Sequence, residues 1–548
     1  MFFGAGGRLS LTCLGRHSLT IPWGNQVRTF YLLRVLGIIV AGFLLRQESA
    51  TAQIPKDKTG KEISQTDAAE RQPSSGETKV QPEVQALIDM AGAVPPEFAA
   101  NALLRLAESE RVTQPSKKVQ LISDAFYLAE SAQQPLKRRP GTPMAADSRS
   151  GFLDDAFRLN LDRLSLQSRA VEDALTLSQT KARTLFEQTE LSLEPLGCGE
   201  PLAYDLKAFY QTLGKLISNG FTQKEKLQGR RLELLERYIT GLRSHSQVGP
   251  IAQLLRTVDL SSGDLRIAVN SFATSLATLH GDKRSFTAAA RYGDFDSLAG
   301  LVTELDAKGV SVVGILQILR EYLLSNLRDS PCAELLTEPA EANSLSGAAR
   351  YFVNRFNEHL GLNVKKYALA PVGRDEIQET LDSSQPSKHD YFSSPKSKEL
   401  LEGIRELKFG TKQEKLLSAE DRNTGSWNEE LSGFLEEFES WEADDEPADD
   451  FFYEKAVIYA GLIELTPSGP EQSRIIQSYV NFLGVNAFQV QNRIEWFWQF
   501  YLLLGEIRIS GLDSRAEIIQ MFEKSRDPIL GLYARLEQLV PGPTDRLY

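Results

Sequence analysis

From Val84 to Val540 apolar residues recur at spacings of three and four, and no stretch sustains the apolar–polar alternation of a half-buried strand. A chain with that period can only build a core from helices that each bury one face. Pro95-Pro96-Glu97 opens such a helix, with Phe98, Ala102 and Leu106 on one side. After the breaker Thr113-Gln114-Pro115, with Ser116 as expected N-cap, Val119, Ile122, Phe126 and Ala129 step by three and four. Together these make an αα-hairpin.

The same reading gives one long helix over 158–190, with Leu161, Leu164, Ala170, Ala174, Leu177 and Leu185 as its stripe. Helices follow over 204–217, 225–242, 251–258 and 265–279. Residues 294–326 form a second hairpin around Gly309, a C′ residue, and 345–360 and 396–408 give further helices. The expectation is an all-α fold of stacked, solenoid-like antiparallel helical hairpins, with a smaller helical C-terminal domain.

The length of 548 residues allows two to four domains. The boundaries expected are a leader over 1–52, a polar tether over 53–82, a helical-hairpin domain over 83–371, a Ser/Pro-rich linker over 372–395 and a helical C-terminal domain over 396–548. With 42% apolar and 24% charged residues, the composition excludes a wholly disordered chain, a collagen-like fibre and a polytopic membrane protein. A formal charge of −12 gives no support to a nucleic-acid partner.

Leu36 to Leu45 (LGIIVAGFLL) is a short apolar run preceded by Arg28 and Arg34 and followed by the small-residue site Ala50-Thr51-Ala52. Those three parts define a secretory signal peptide cut after Ala52, and a periplasmic or secreted protein with no membrane span after cleavage. Retention as an uncleaved anchor is the alternative, since Tyr31 to Leu45 is apolar apart from Arg34. The n-region is long, and Val27 marks a possible later start.

Cys13 lies in the leader, which leaves Cys198 and Cys332 in the mature chain. In an oxidising compartment such a pair suggests a disulfide; two separate buried thiols are the alternative. If they pair, the exported protein is expected to show no alkylatable thiol until it is reduced, and two thereafter. Alkylation before reduction excludes the bond.

No phosphate-binding loop, dinucleotide fingerprint, H-E-x-x-H helix or nucleophile elbow is present, so no cofactor or metal is expected and no catalytic residue is assigned. His359 beside Glu358 reads as a helix-surface histidine, and Lys137-Arg138-Arg139 as part of a solvated basic loop.

Between Glu429 and Asp450 lie eleven acids and no base. Ser426-Trp427-Asn428-Glu429 has capping-box spacing, and Trp427, Leu431, Phe434, Phe438 and Trp441 then form one narrow stripe. A helix docked on the core is the first reading, a partner-binding face the second, and cation capture by the acidic tail the third. Ile494 to Leu504 (IEWFWQFYLLL) is apolar on every face and reads as a central buried helix.

The segment Phe126-x-x-Ala129 followed by Pro135 resembles the second helix of a tetratricopeptide repeat, which implies helical-hairpin packing. The whole layout is similar to bacterial exported α-helical proteins, a likeness that carries no activity. Lytic transglycosylases are exported helical enzymes with a catalytic Glu-Ser. Glu108-Ser109, Glu130-Ser131 and Glu439-Ser440 occur here without their companion motifs. The expected function is therefore non-catalytic, as an interaction or scaffold protein that engages another envelope protein. The alternative is an envelope hydrolase or glycan-cleaving enzyme using carboxylates that the sequence does not single out.

Overall fold

A computed structural model describes residues 81–138, 157–193, 202–279, 294–328 and 447–486 throughout, and most positions of 353–370, 392–409, 417–442, 493–503 and 515–540. The leader, nearly all of the tether, most of the linker, Cys198, Cys332 and His359 lie outside the described residues. The protein is mostly helical. Among the described residues no helix is long and apolar enough to cross a membrane.

The N-terminal helices are α1 (Pro82–Ala91), α2 (Pro96–Glu108) and α3 (Pro115–Leu128). Each starts on proline, whose missing N–H is one the first turn leaves unused. At α3 this differs from the expected cap: Pro115 takes the first helical position, so Gln114 stands where Ser116 was expected. Helices α2 and α3 pack as the expected hairpin.

The expected long helix is two, α4 (Arg163–Leu177) and α5 (Gln179–Glu187). Asp162 caps the first, accepting from the Ser165 N–H at 2.9 Å. Ser178 is extended at φ −158°, and its hydroxyl accepts from the Lys181 N–H, so the chain ends one helix and caps the next at one residue.

A second departure precedes α6 (Lys207–Asn219). Strands β1 (Leu136–Arg138) and β2 (Leu202–Tyr204) pair antiparallel, with Leu136 opposite Tyr204. The start of the basic loop is therefore a ribbon. Lys137 ties it down by reaching Asp162 at 3.2 Å and Asn160 Oδ1 at 2.7 Å. Three-residue strands are too short to show alternation.

The expected charged helix divides into α7 (Gln223–Leu227) and α8 (Arg230–Thr240) at Gly229, which takes φ 76°. Then come α9 (Val248–Thr257), α10 (Ser262–Ala277), α11 (Asp294–Ala307) and α12 (Val313–Arg328). Gly309 ends α11 at φ 69°, as the sequence requires. Helix α11 packs on α9 and α12 on α10, so each arm of the 294–326 segment joins an earlier helix.

The C-terminal half comprises α13 (Pro395–Phe409), α14 (Gly425–Glu439), α15 (Ala448–Leu465), α16 (Pro470–Asn486), α17 (Arg515–Glu523) and α18 (Pro528–Leu539). Helix α13 packs on α14 and α15, α15 on α16, and α18 on α17. The described residues of the 494–504 run are buried, Trp496 completely, as expected of a central helix.

Helix α18 also packs on α1 and α2. Phe98, Phe497 and Tyr533 form an aromatic cluster with centroids 4.5–6.2 Å apart. Beside it, Arg105 donates to Glu537 at 2.8 Å and to the Val540 carbonyl at 2.6 Å. Residues more than 430 positions apart thus share one core.

Candidate functional site

Three groupings of side chains could carry function, and the structure treats each differently. The first is the acidic helix, α14. Its cap is Thr424, whose hydroxyl accepts from the Trp427 N–H, two residues before the expected Ser426. Trp427, Leu431, Phe434, Phe438 and Trp441 are at most 9% exposed. They meet this chain's own helices. The Trp427 indole donates to the Leu407 carbonyl at 3.0 Å, Phe438 stands edge-on to Tyr459, and Trp441 stands edge-on to Phe451. Gly403 makes room for the Phe434 ring, since a Cβ there would come within 2.7 Å of it. The stripe faces protein, so the surface it would present to a partner is already occupied.

The stripe also encloses a cation. Lys455 of α15 is 6% exposed and donates to the Trp441 carbonyl at 2.6 Å. Its ammonium lies 5.2–5.9 Å from the ring centroids of Phe438, Trp441, Phe451 and Phe482. Burial pushes its pKa down to about 8, against the pull of Glu439 and Glu442. The four rings favour the charged form through their faces. Lys455 thereby fastens the end of α14 to α15.

The second grouping is a pair of carboxylates. Arg169 of α4 forks onto both oxygens of Glu108 at 2.6 and 2.7 Å and reaches Asn101 Oδ1 at 2.8 Å. Asn101 in turn donates to the Tyr533 hydroxyl at 2.6 Å. Asp173, one turn along α4, has its pKa raised to about 7, first by burial and then by the Glu108 carboxylate, with Arg169 opposing. Among the described residues its Oδ2 is buried without a hydrogen-bond partner. Among the described residues Glu108 is thus the one member of the three Glu-Ser dipeptides that meets a second carboxyl of shifted pKa.

This pair has a pH signature. A carboxyl raised in the folded state makes the native chain hold its proton more tightly than the unfolded chain does. The contribution of Asp173 to stability should therefore fall as pH rises from about 4 to about 7, the window set by the ordinary and raised values. Asp173→Asn is expected to stabilise the protein at pH 8 and to change little near pH 4, measured by urea denaturation at each pH. Equal effects at both would exclude the raised value.

The third grouping is a groove of about 470 Å³ between α9, α11 and the turn at Gly361. Gln253 and Arg256 line it from α9, and Asp296, Ser297, Thr303 and Glu304 from α11. Arg256 is laid across α11 at Gly300, where a Cβ would stand 2.8 Å from Nη1 and 3.1 Å from Cζ. Thr303 braces the far wall: its hydroxyl accepts from the Gly361 N–H at 3.1 Å and donates to the Ala299 carbonyl at 3.0 Å. Glu304 is paired with Lys308 at 3.2 Å.

The sequence reading missed this site. An isolated glycine inside the strong α11 stripe is the one signal that could have flagged a close approach there. Among the described residues no group of three or more His, Cys, Asp or Glu side chains could hold a metal. Comparison with protein families, with curated proteins and with solved structures gave no match.

Proposed function

We propose that the protein is a non-catalytic interaction or scaffold protein of the cell envelope, periplasmic or secreted once its leader is removed. The groove between α9 and α11 supports this reading most. It is the size of a ligand-binding cleft, has a mixed polar and apolar lining, and is set on helix faces braced by the core. The stacked-hairpin, solenoid-like arrangement and the Cys198–Cys332 bond belong to the same proposal, as means of holding such a surface rigid.

The test is a photo-crosslinking residue at Gln253 in intact cells, with one at exposed Tyr127 on α3 as control. A discrete adduct from position 253 alone, in the envelope fraction, is expected. Its absence there, or recovery of the protein from the cytoplasmic fraction, overturns the reading.

The carboxylate pair favours a second reading, a glycan-cleaving enzyme with Asp173 as acid. Against it, both oxygens of Glu108 are held by Arg169. Release of soluble fragments from cell-wall glycan, abolished by Asp173→Asn in a folded protein, would establish the enzyme.

A further inference from the structure

Lys455 is buried, and among the described residues no carboxylate stands within ion-pair distance of its ammonium. Its hydrogen-bond acceptor there is the Trp441 carbonyl, and the rings of Phe438, Trp441, Phe451 and Phe482 stand around it. Ring faces and a single carbonyl replace only part of the hydration that an ammonium gives up. Phe438, Trp441 and that carbonyl come from the end of α14 and the residues just past it, whereas Phe451 lies on α15 with the lysine and Phe482 on α16. The start and middle of α14 are held separately on α13, through the Trp427 indole and the Phe434 ring at Gly403. The end of the helix is thus the wall of the enclosure that can lift while the rest stays seated.

The titratable groups around Lys455 leave its charge unpaired. Glu439 and Glu442 pull on it from the end of α14 without forming an ion pair, and Glu439 accepts from Ser478 of α16 at 3.2 Å. On α15, Glu454 accepts from the Phe392 N–H, and Asp450 is buried more than a turn before the lysine. Burial pushes the Tyr459 phenol up, so it keeps its proton at alkaline pH. Tyr479 of α16 stacks on Tyr459 and donates to Gln499. Lys396 and Lys408 of α13 are directed to Glu437 and Glu464.

We propose that the end of α14 is a proton-linked latch over Lys455, seated more firmly when the lysine is neutral and loosened when it carries its charge. The proposal is independent of the groove and of the interaction reading. Release returns the ammonium to water, so the released state holds the proton up to the ordinary value of 10.5 and the seated state only up to about 8. Raising the pH between those values favours the seated state, by about tenfold per pH unit at most. Below that window both states are protonated and pH has no effect.

The experiment is fluorine NMR of the full chain carrying 5-fluorotryptophan, titrated with urea between about pH 7 and about pH 10. The Trp441 signal, identified by its loss in Trp441→Phe, reads the latch. The Trp496 signal, from a fully buried indole in the same half, reads global unfolding. The Trp441 transition is expected at lower urea than the Trp496 transition, and should move to higher urea as the pH rises above about 8. In Lys455→Met, which places an apolar side chain of similar length among the same rings, it should not depend on pH and should lie above the native value at neutral pH. Lys455→Leu is the second variant, and circular dichroism shows that each is folded. Carbon NMR of lysine labelled at Cε, with Lys455 identified by its loss in these variants, should titrate with a midpoint of about 8. A native Trp441 transition that ignores pH, the same pH dependence in Lys455→Met, Trp441 and Trp496 signals lost together at every pH, or a lysine midpoint near the ordinary 10.5 overturns the proposal.

Discussion

Trp441→Ala is expected to destabilise the protein by about 3–5 kcal/mol, the range for removing a buried aromatic from a packed core. The residue sits just beyond the end of α14 and is 6% exposed, edge-on to Phe451 and near Phe438. Truncation removes the indole and leaves a cavity next to Lys455. The ammonium then loses one of four rings and gains access to water. Those two effects oppose each other, and the cavity dominates because the Trp441 carbonyl still accepts the lysine. Urea denaturation followed by far-ultraviolet circular dichroism measures the loss. Glu436→Gln, on the exposed face of the same helix, should stay within about 0.5 kcal/mol. If Trp441→Ala costs no more than that control, the stripe does not dock and the partner-face reading returns.

That prediction rests on a part of the fold the sequence made legible. A stripe that is apolar at steps of three and four and acidic elsewhere has one stable orientation, so the inward face of α14 follows from residue types alone. Helix ends were less legible, because caps are decided by local geometry. Ser426 and Thr424 are both competent hydroxyls, and Thr424 holds the position because Gly425 already has helical geometry. Ser178 looks like an ordinary helix residue until its backbone is seen to be extended. The ribbon of β1 and β2 joins segments more than sixty positions apart and carries too few residues to reveal a period.

The candidate sites lie beyond sequence for a similar reason. Glu108 and Asp173 are brought together by the packing of α2 on α4, and no spacing rule links them. Arg256 lies close against another helix where Gly300 has no Cβ. Both are pairwise properties of the tertiary structure, whereas hydrophobic period is a property of one segment.

The contact between the two ends of the chain is the least expected feature, and it yields the second large effect. Arg105 and Glu537 have side chains 9% and 1% exposed and stand 2.8 Å apart. Arg105→Met takes the guanidinium away from the buried Glu537 carboxylate and also frees the Val540 carbonyl. Breaking such a pair from one side costs about 3–5 kcal/mol. Much of that is the penalty of keeping a carboxylate buried after its arginine is gone. The double variant Arg105→Met, Glu537→Leu should therefore recover most of it, because two apolar side chains pack where two desolvated charges stood. Chemical denaturation of the two single variants and the double variant gives the coupling directly. Helix α18 also packs its own Tyr533 against Phe98 and Phe497, so the double variant is expected to keep the ends together. A single variant as stable as the native chain would mean that α18 does not stay against α2 in solution. In that case the N-terminal and C-terminal halves would behave as the two separate domains that the break over 372–395 suggests.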